Sequence, residues 1–271
     1  MNPNVAVVVL SCDAYSDLWA PFFSLFERYW PDCPFTVYLV SNFLAYDHTT
    51  AISLRTRQIT TWSADLKLVL ATIAQPYVIC LCDDYLLMRP VKTEIVLALC
   101  ALVIDLDAVY LRLFPHPGPG PDQPLIGQPE IGLISHESKC LRTSLQCAIW
   151  KKSTLISLLE PGETIWEFEI KGSERARRLD RLFLSVCQRR DSHRYSGVYP
   201  VTYYCTGIRK GKWQLDAIRL CRQERVDVDL TRRRIETSWD RFKKNAIINR
   251  APQFLRGPLA KWLYGCKYEF S

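Results

Sequence analysis

Two adjacent carboxylates, Asp83 and Asp84, close an apolar run that begins at Pro76 and is rich in Val, Ile and Leu. Such a run is typical of a buried strand, and ligands bind at the carboxyl ends of strands in open α/β sheets. Two acids placed there repel each other unless a positive charge compensates them. A divalent cation, Mn²⁺ or Mg²⁺, that bridges to phosphate oxygens would do so. We therefore predict Asp84 as a metal ligand with Asp83 beside it; a turn in which one Asp caps the next helix is the alternative.

A second pair of carboxylates, Glu167 and Glu169, alternates with Trp166, Phe168 and Ile170. Period-two alternation predicts an extended segment with both carboxylates on one face. A carboxylate walled by aromatic rings can have its pKa raised into a range useful for a general base. We favour Glu169, with Glu167 close behind, and a solvent-facing edge strand is the alternative.

A basic segment follows a Tyr-rich stretch, with Lys210 and Lys212 on either side of Gly211. Glycine lets the backbone approach a ligand closely, and the two cations suit a diphosphate. Lys210 and Lys212 are the predicted phosphate contacts.

The elements that must position these residues alternate between strands and helices in the first half of the chain. Val5 to Leu10 and Phe35 to Val40 predict strands on either side of an aromatic-rich helix, which indicates a right-handed parallel crossover. Further helices are predicted from Ala64 to Ala74 and from Ser173 to about Gln188, and a Tyr-rich strand from Gly197 to Thr206. The pattern predicts an α/β fold with a nucleotide-binding mixed sheet flanked by helices, although no Gly-rich phosphate loop is present.

Composition and charge divide the chain into three predicted parts. Six prolines and three glycines between Phe114 and Pro129 mark a functional loop or boundary. Residues 1 to 170 carry a net charge of −7, and residues 171 to 271 carry +14. We expect a nucleotide-binding half over residues 1–113, an acceptor-side and catalytic half of the same domain over 114–215, and a basic, partly helical extension over 216–271.

The same composition bounds the setting of the protein. The eleven cysteines are scattered without a CxxC pair, which favours reduced, buried thiols in a cytosolic protein. The start of the chain lacks the pattern of a signal peptide, and the longest uncharged apolar stretch has ten residues, too few to span a bilayer. The basic last third suits an anionic membrane surface, so we expect a cytoplasmic protein with a peripheral position at the inner face of the inner membrane. A solvated basic face without a partner is the alternative.

Several short motifs are spread over residues 5 to 215: Ser11 to Trp19, Tyr29 to Pro34, Trp62-Ser63, Pro76-Tyr77, Asp83 to Tyr85, Gln146 with Ile149-Trp150, and Trp166 to Glu169. Together they resemble bacterial glycosyltransferases of the GT-A type encoded with capsule and lipopolysaccharide O-antigen genes. The pattern here has Asp-Asp after Cys82, where many GT-A enzymes show Asp-x-Asp.

This resemblance implies transfer of a sugar from a nucleotide sugar to a saccharide or lipid-linked oligosaccharide acceptor. Asp13, at the end of the first strand, would then suit the nucleobase or ribose, unless it is a helix cap. Trp62, Ser63 and Asp65 would line the nucleotide pocket, although Ser63 could simply be an N-cap. Asp83 would lie close to the diphosphate.

Two other classes fit parts of the pattern. A metal-dependent nucleotidyltransferase also pairs carboxylates with metal and phosphate. A nucleic-acid-binding protein would use the basic third, but most aromatic residues fall at core spacing instead of interleaving with Lys and Arg. We therefore expect no nucleic-acid partner.

Overall fold

The computed structural model describes residues 2–114, 123–125, 128–137, 141–187, 189–191, 194–196, 200–204 and 206–237. Most of the Pro/Gly-rich segment predicted as a loop or boundary lies outside these residues, as do the last 34 residues of the basic extension.

Four parallel strands form one half of the main sheet, in the order β3 (Ile52–Arg55), β2 (Thr36–Ser41), β1 (Val5–Leu10) and β4 (Tyr77–Cys82). Every residue of β1 and β4 is buried. This is the behaviour of Val- and Ile-rich strands that are covered on both faces. The predicted strands and the parallel crossover are confirmed.

The other half of the sheet is mixed. Strand β9 (Ala148–Lys151) lies antiparallel between β4 and β6 (Tyr110–Arg112), and β10 (Phe183–Val186) pairs parallel with β6. Strands β8 (Gln128–Leu133) and β7 (Gln123–Leu125) complete a nine-stranded sheet. Since β9 runs opposite to β4, the residues that lead into β9 lie at the edge where β4 ends. The predicted mixed α/β sheet flanked by helices is confirmed.

Helices cover the sheet, and the first of them carries much of the aromatic core. Helix α1 (Trp19–Tyr29) buries Phe22, Phe23 and Phe26, whose rings lie 5.1 to 6.2 Å apart. A 3₁₀ turn (Asp13–Leu18) joins β1 to α1. The remaining helices are α2 (Trp62–Thr72), α3 (Thr93–Asp105), α4 (Lys152–Leu158), α5 (Ile165–Glu167), α6 (Ser173–Arg177) and α7 (Leu215–Gln223).

The helix predicted from Ser173 to Gln188 is wrong beyond its first turns. Helix α6 ends at Arg177, and residues 183–186 form β10 instead. All four side chains of β10 are buried, because the strand fills the gap between β6 and β8. Tertiary pairing overrides the helical spacing there.

The extended segment predicted around Glu167 and Glu169 is also wrong. The chain is helical, with α5 followed by a π-helical turn (Phe168–Gly172). Thr164 and Glu167 form a capping box that begins α5. Residues two apart lie on the same face of a strand but on different sides of a helix, so Glu167 and Glu169 do not share a face.

The last third forms short pairings around the main sheet. Strand β13 (Tyr203–Tyr204) pairs with β5 (Leu86–Leu87), so only this part of the predicted Tyr-rich strand is a strand among the described residues. Strands β11 (Arg189–Asp191) and β12 (Arg194–Ser196) pair with each other, as do β14 (Ile208–Arg209) and β15 (Lys212–Trp213).

After α7 the chain returns to β15. The Trp213 amide donates to the Arg234 carbonyl at 2.9 Å, and the Glu236 amide donates to the Trp213 carbonyl at 2.7 Å. Within the ranges given above, no helix is both long and apolar enough to cross a membrane. The domain boundaries at residues 113 and 215 stay predictions.

Candidate active site at the carboxyl ends of β1 and β4

The acid pair lies at the point where the strand order changes direction. Strand β1 has β2 on one side and β4 on the other. In open α/β sheets, ligands bind at the carboxyl ends of the strands where the strand order changes direction in this way. The Asp83 amide donates to the Leu10 carbonyl at 3.2 Å, which extends the β1–β4 ladder to the acid. The Ser11 hydroxyl donates to the Asp83 carboxylate and itself accepts from the Trp19 indole at 2.7 Å. The predicted position of the pair at a strand end is confirmed.

Asp84 is held from the other side by residues near the β14–β15 hairpin. Its carbonyl accepts from the Gly207 amide at 2.9 Å, and its Oδ2 accepts from the Ile208 amide at 3.4 Å. A Cβ added at Gly207 would lie 3.0 Å from the Asp84 carbonyl oxygen. A larger residue would have to displace this backbone oxygen slightly, so the close approach favours glycine at position 207, which the sequence pattern did not indicate.

The environment of the pair disfavours two negative charges. Burial raises the pKa of Asp83 well above its usual range, with repulsion from Asp84 as the next cause. Burial also raises the pKa of Asp84, to about 6. The nearby Arg233 cation acts in the opposite direction and lowers the pKa of both acids, but it does not cancel the effect of burial. A further positive charge at the site would therefore stabilise the charged forms of both acids.

Arg233 reaches this region from the basic last third of the chain. Its Nε donates to Asp17 Oδ2 at 2.7 Å and its Nη2 to Oδ1 at 3.1 Å, a bidentate pair with a fully buried carboxylate. Its guanidinium lies 4.3 Å from the centre of the Tyr15 ring. From the sequence, the basic last third, to which Arg233 belongs, was expected to face an anionic membrane surface or solvent, and no local signal pairs Arg233 with Asp17.

The donor atoms at the pair suit a hard divalent cation. Asp83 and Asp84 offer carboxylate oxygens, and a bound cation would offset the burial that raises the pKa values of both acids. In the part of the chain that the structure describes, no group of three or more His, Cys, Asp or Glu could hold a metal ion. A cation here would therefore take its other ligands from water and phosphate, as Mg²⁺ usually does.

Asp13 joins the loops that follow β1 and β2. Its Oδ1 accepts from the Asn42 amide at 2.9 Å and its Oδ2 from the Phe43 amide at 3.0 Å, while the Asp13 amide donates to Asn42 Oδ1 at 3.2 Å. These contacts explain Asp13 as a clamp between two loops, not as the N-cap considered from the sequence. Its role toward a nucleotide stays a prediction.

Asp65 belongs to the same edge of the sheet. Its Oδ2 accepts from Asn42 Nδ2 at 3.3 Å and its Oδ1 from the Thr60 hydroxyl at 2.7 Å. Asn42 thus connects Asp13 with Asp65, and the structure brings these two predicted nucleotide contacts together. Asn42 itself was not singled out from the sequence.

Trp62 and Ser63 face a different neighbour. Helix α2 begins at Trp62, so Ser63 lies inside the first turn and the predicted N-cap is wrong. The Ser63 side chain is fully buried and accepts from the Glu163 amide at 3.1 Å. The Trp62 ring is centred 5.5 Å from that of Phe168. Their predicted place in a nucleotide pocket remains untested.

Glu169 is buried beneath the segment that leads into β9. Its Oε1 accepts from the Leu145 amide at 2.7 Å and from the Ser144 hydroxyl at 3.2 Å. Burial raises the pKa of this carboxyl. One residue further on, Gln146 Nε2 donates to the Tyr85 hydroxyl at 3.2 Å, and Tyr85 follows Asp84 directly. Residues 144–146 therefore form hydrogen bonds both with Glu169 and with Tyr85, the residue next to the acid pair.

Glu167 has different surroundings. It completes the capping box with Thr164 and accepts from Lys171 Nζ at 3.0 Å. The Thr164 amide and the Lys171 cation lower its pKa to about 2. Of the two glutamates, Glu169, which the sequence favoured, is a buried acid with a raised pKa, and Glu167 is a half-buried residue of a helix cap.

Lys210 and Gly211 are the central residues of the tight turn between β14 and β15. Their φ angles of 49° and 72° match the left-handed conformation that two-residue hairpins require. The turn explains Gly211 without a ligand. Lys210 is exposed and Lys212 half-buried, and the same hairpin begins at Ile208, beside Asp84. Their predicted contact with phosphate is not tested by these observations.

Comparisons with known proteins give similarity at the level of the fold. No protein-family profile matches the sequence, and no curated protein matches it. Among solved structures, Staphylococcus aureus TarS 1–349 is similar with 14% identity over 68% of this chain and a TM-score of 0.41. The same TarS fragment in complex with UDP gives 13% identity over 95% of this chain and 78% of its own, with a TM-score of 0.40.

A nucleotidyltransferase is similar to the same degree. The 2-C-methyl-D-erythritol 4-phosphate cytidylyltransferase from Thermus thermophilus gives 11% identity over 82% of this chain and all of its own, with a TM-score of 0.44. The match to TarS 1–349 spans 60% of that chain. At such identities and TM-scores these likenesses do not identify the reaction that this chain carries out.

Proposed function

We propose that the protein is a glycosyltransferase that moves a sugar from a nucleotide sugar to a saccharide or lipid-linked acceptor. The observation that carries the proposal is the acid pair at the strand switch point, in which Asp83 is buried and Asp84 half-buried. Both acids have raised pKa values, and the Arg233 cation lies nearby. Such a site favours a ligand that brings phosphate and positive charge together.

The donor end of the reaction would use the acid pair. Asp84 would be the metal ligand, with Asp83 oriented by Ser11 and close to the diphosphate. A bound Mn²⁺ or Mg²⁺ would neutralise charge that develops on the leaving diphosphate. Arg233 adds a fixed positive charge, and Lys210 and Lys212 on the neighbouring hairpin would contact phosphate.

The nucleoside would lie toward β2 and β3. Asp13 and Asp65 are joined there through Asn42, and Trp62 starts the adjacent helix. Because the Asp13 carboxylate already accepts from backbone amides, we propose that it shapes the loop against which the base or ribose lies.

The acceptor end would use Glu169. An inverting transfer needs a base for the acceptor hydroxyl, and a buried carboxyl with a raised pKa suits that task. Glu167 is the weaker candidate because it is engaged in its own helix cap. A retaining transfer would not need this base.

The setting would be bacterial surface polysaccharide synthesis, such as capsule or O-antigen assembly. This rests on the sequence resemblance, and the net charge of +14 over residues 171 to 271 suits a cytoplasmic enzyme at the anionic inner face of the inner membrane.

A thermal-shift panel tests the proposal. UDP, GDP, CMP and dTDP carriers are added with and without Mn²⁺, and a ligand that binds only the folded protein must raise the Tm. We expect one nucleotide class to stabilise only with metal, and Asp84→Asn to abolish the shift. Asp105→Asn, an exposed carboxylate at the end of α3, is the matched control and should leave it unchanged.

Product analysis then separates the two enzyme classes. A glycosyltransferase releases a nucleoside diphosphate or monophosphate from a nucleotide sugar, and a nucleotidyltransferase releases pyrophosphate from a nucleoside triphosphate. No shift with any nucleotide, or an unchanged shift in Asp84→Asn, would contradict the proposed donor site.

A further inference from the structure

A second cleft lies at the opposite edge of the sheet from the acid pair. It is enclosed by residues 133–136, which follow from β8, and residues 180–182, which precede β10, with Arg142 in its wall. Strand β9 is antiparallel to both β4 and β6, and β10 is parallel to β6, so β10 runs in the same direction as β4. The start of β10 therefore lies at the edge of the sheet where β4 begins, away from the edge where β4 ends. The cleft has a volume of 210 Å³, which corresponds to about seven waters at about 30 Å³ each and is enough for a phosphate group.

Arg142 is a buried cation without a buried anion. Its relative exposure is 1%, and it forms no ion pair with any residue in the described ranges. Its Nε has no hydrogen-bond partner among the residues that the structure describes. Burial lowers the pKa of Arg142 to about 10, so the guanidinium still carries its charge at neutral pH. A buried charge that lacks a counter-ion is costly, which points to a partner from outside the chain.

The contacts that Arg142 makes within the protein orient it without neutralising it. Its guanidinium lies 4.3 Å from the centre of the Phe183 ring, and Nη2 donates to the Arg181 carbonyl at 3.2 Å. A structural role alone would explain this geometry, but neither a ring nor a carbonyl supplies a negative charge.

His136 leaves a hydrogen-bonding conflict at the same place. Its Nδ1 lies 2.6 Å from the Arg177 carbonyl oxygen and 2.9 Å from Arg142 Nη1. Nδ1 can donate to the Arg177 carbonyl oxygen only when it is protonated, and it can accept from Arg142 Nη1 only when it is unprotonated. When Nδ1 bears the proton, the Nη1 hydrogen aimed at it needs another acceptor.

Arg181 adds a second cation at the cleft. Its side chain is 57% exposed and pairs with Asp107 at 3.3 Å, a carboxylate that also pairs with Lys151. Exposed pairs of this kind contribute little, so Arg181 can turn to a ligand at low cost. Asp180 is the one acid that lines the cleft among the described residues, and it is exposed to solvent.

We propose that this cleft binds a phosphate group, with Arg142 as the buried counter-charge and Arg181 as a further donor. The phosphate could belong to a lipid headgroup or to a free phosphorylated molecule. Both sources share the chemistry that multiple cationic donors recognise. The inference does not depend on the proposed function.

Inorganic phosphate is the first probe, added to the full chain in a chelating buffer with chloride at matched ionic strength as the reference. We expect a saturable rise in Tm above that with chloride, and an affinity about tenfold weaker in Arg181→Gln. The control Arg178→Gln removes an exposed arginine that does not line the cleft and should stay within about twofold of the parent protein.

Two further variants keep the result unambiguous. Asp84→Asn should retain the phosphate response, so the test does not report on the donor site. Arg142→Lys should weaken binding further if it folds, and Arg181→Gln carries the test if it does not. No saturable response, or equal affinities in Arg181→Gln and Arg178→Gln, would overturn the proposal.

Vesicles of phosphatidylcholine with and without phosphatidylglycerol distinguish the source of the phosphate. Sedimentation with phosphatidylglycerol that Arg181→Gln weakens and Arg178→Gln does not identifies a lipid headgroup. Binding of inorganic phosphate without any vesicle binding identifies a free phosphorylated ligand.

Discussion

The Gly207 amide and the Asp84 carbonyl oxygen lie 2.9 Å apart, and a Cβ at Gly207 would come within 3.0 Å of that oxygen. The contact fixes the backbone of the acid pair against the start of the β14–β15 hairpin. Gly207 also accepts from the Gln214 amide at 2.8 Å, so it cannot shift without breaking a second hydrogen bond.

Gly207→Ala should displace Asp84, because the atom that the new methyl group meets is backbone. We expect a loss of about 1–3 kcal/mol in the free energy of unfolding and weaker binding of Mn²⁺ with nucleotide. Urea unfolding and the thermal-shift panel measure the two effects. Gly211→Asn is the control, since Asn tolerates the left-handed conformation and nothing lies within 4 Å of a Cβ there. Equal metal affinity in the two variants would show that Gly207 does not position Asp84.

The stability of the metal-free protein should depend on the charge of Asp84. Burial raises the pKa of Asp84 from 3.8 to about 6, so the folded state binds the proton more tightly than the unfolded state. The protonated Asp84 carboxyl therefore contributes to the free energy of unfolding below about pH 4. This contribution is lost as the pH rises to about 6, a decrease of about 2–3 kcal/mol.

Asp84→Asn tests this pH dependence. In urea unfolding in chelating buffer, the free energy of unfolding of Asp84→Asn should rise relative to that of the parent protein between pH 4 and pH 7. Asp105→Asn should run parallel to the parent protein over the same range. If Asp84→Asn also runs parallel, the carboxylate is not buried in the way the structure shows.

Glu169→Gln and Glu167→Gln should separate the two glutamates. Glu169→Gln keeps an oxygen for the Leu145 amide but removes the base, so kcat should fall about 10²–10⁴-fold at similar KM. Glu167→Gln should lower the Tm slightly through the helix cap and leave kcat within about twofold. Steady-state kinetics with the donor found in the panel measure both. The reverse order of effects would assign the base to Glu167.

Arg233→Gln should destabilise the protein strongly, because it leaves the fully buried Asp17 carboxylate without its bidentate partner. We expect a loss of about 3–5 kcal/mol in urea unfolding. Arg232→Gln removes only an exposed hydrogen bond to Ser16 at 2.7 Å and should change stability by less than about 0.5 kcal/mol.

The double variant Arg233→Gln, Asp17→Asn provides the check on this mechanism. Removing both charges should recover part of the loss, because no buried charge is then left unpaired. Additive effects of the two single changes would argue against the pair as the cause.

Much of the parallel half of the fold was predictable from local pattern. Apolar runs such as Val5–Leu10 and Tyr77–Cys82 are buried on both faces. A continuous apolar run of this length is removed from water when it forms a central strand that is covered on both sides. The mixed half was less predictable. The Phe183–Val186 segment has helical spacing, yet it becomes a strand because β6 and β8 offer it partners that lie far away in sequence.

The site divides in the same way. Adjacent acids at the end of an apolar run placed Asp83 and Asp84 correctly, since strand ends are set locally by the polarity of the chain. The clamp between Asp13 and Asn42, the burial of Glu169 under Leu145, and the preference for glycine at position 207 all arise between segments distant in the chain. No local spacing encodes such contacts.

The sequence by itself determined the strands of the parallel half, the aromatic core of α1 and the position of the acid pair at a strand end, because each depends on neighbours along the chain. Only the tertiary structure decided that Arg233 pairs with Asp17, 216 residues away, and that Glu167 and Glu169 have opposite surroundings. Burial and charge pairing depend on which segments meet, and that is settled only when the whole sheet and its covering helices have assembled.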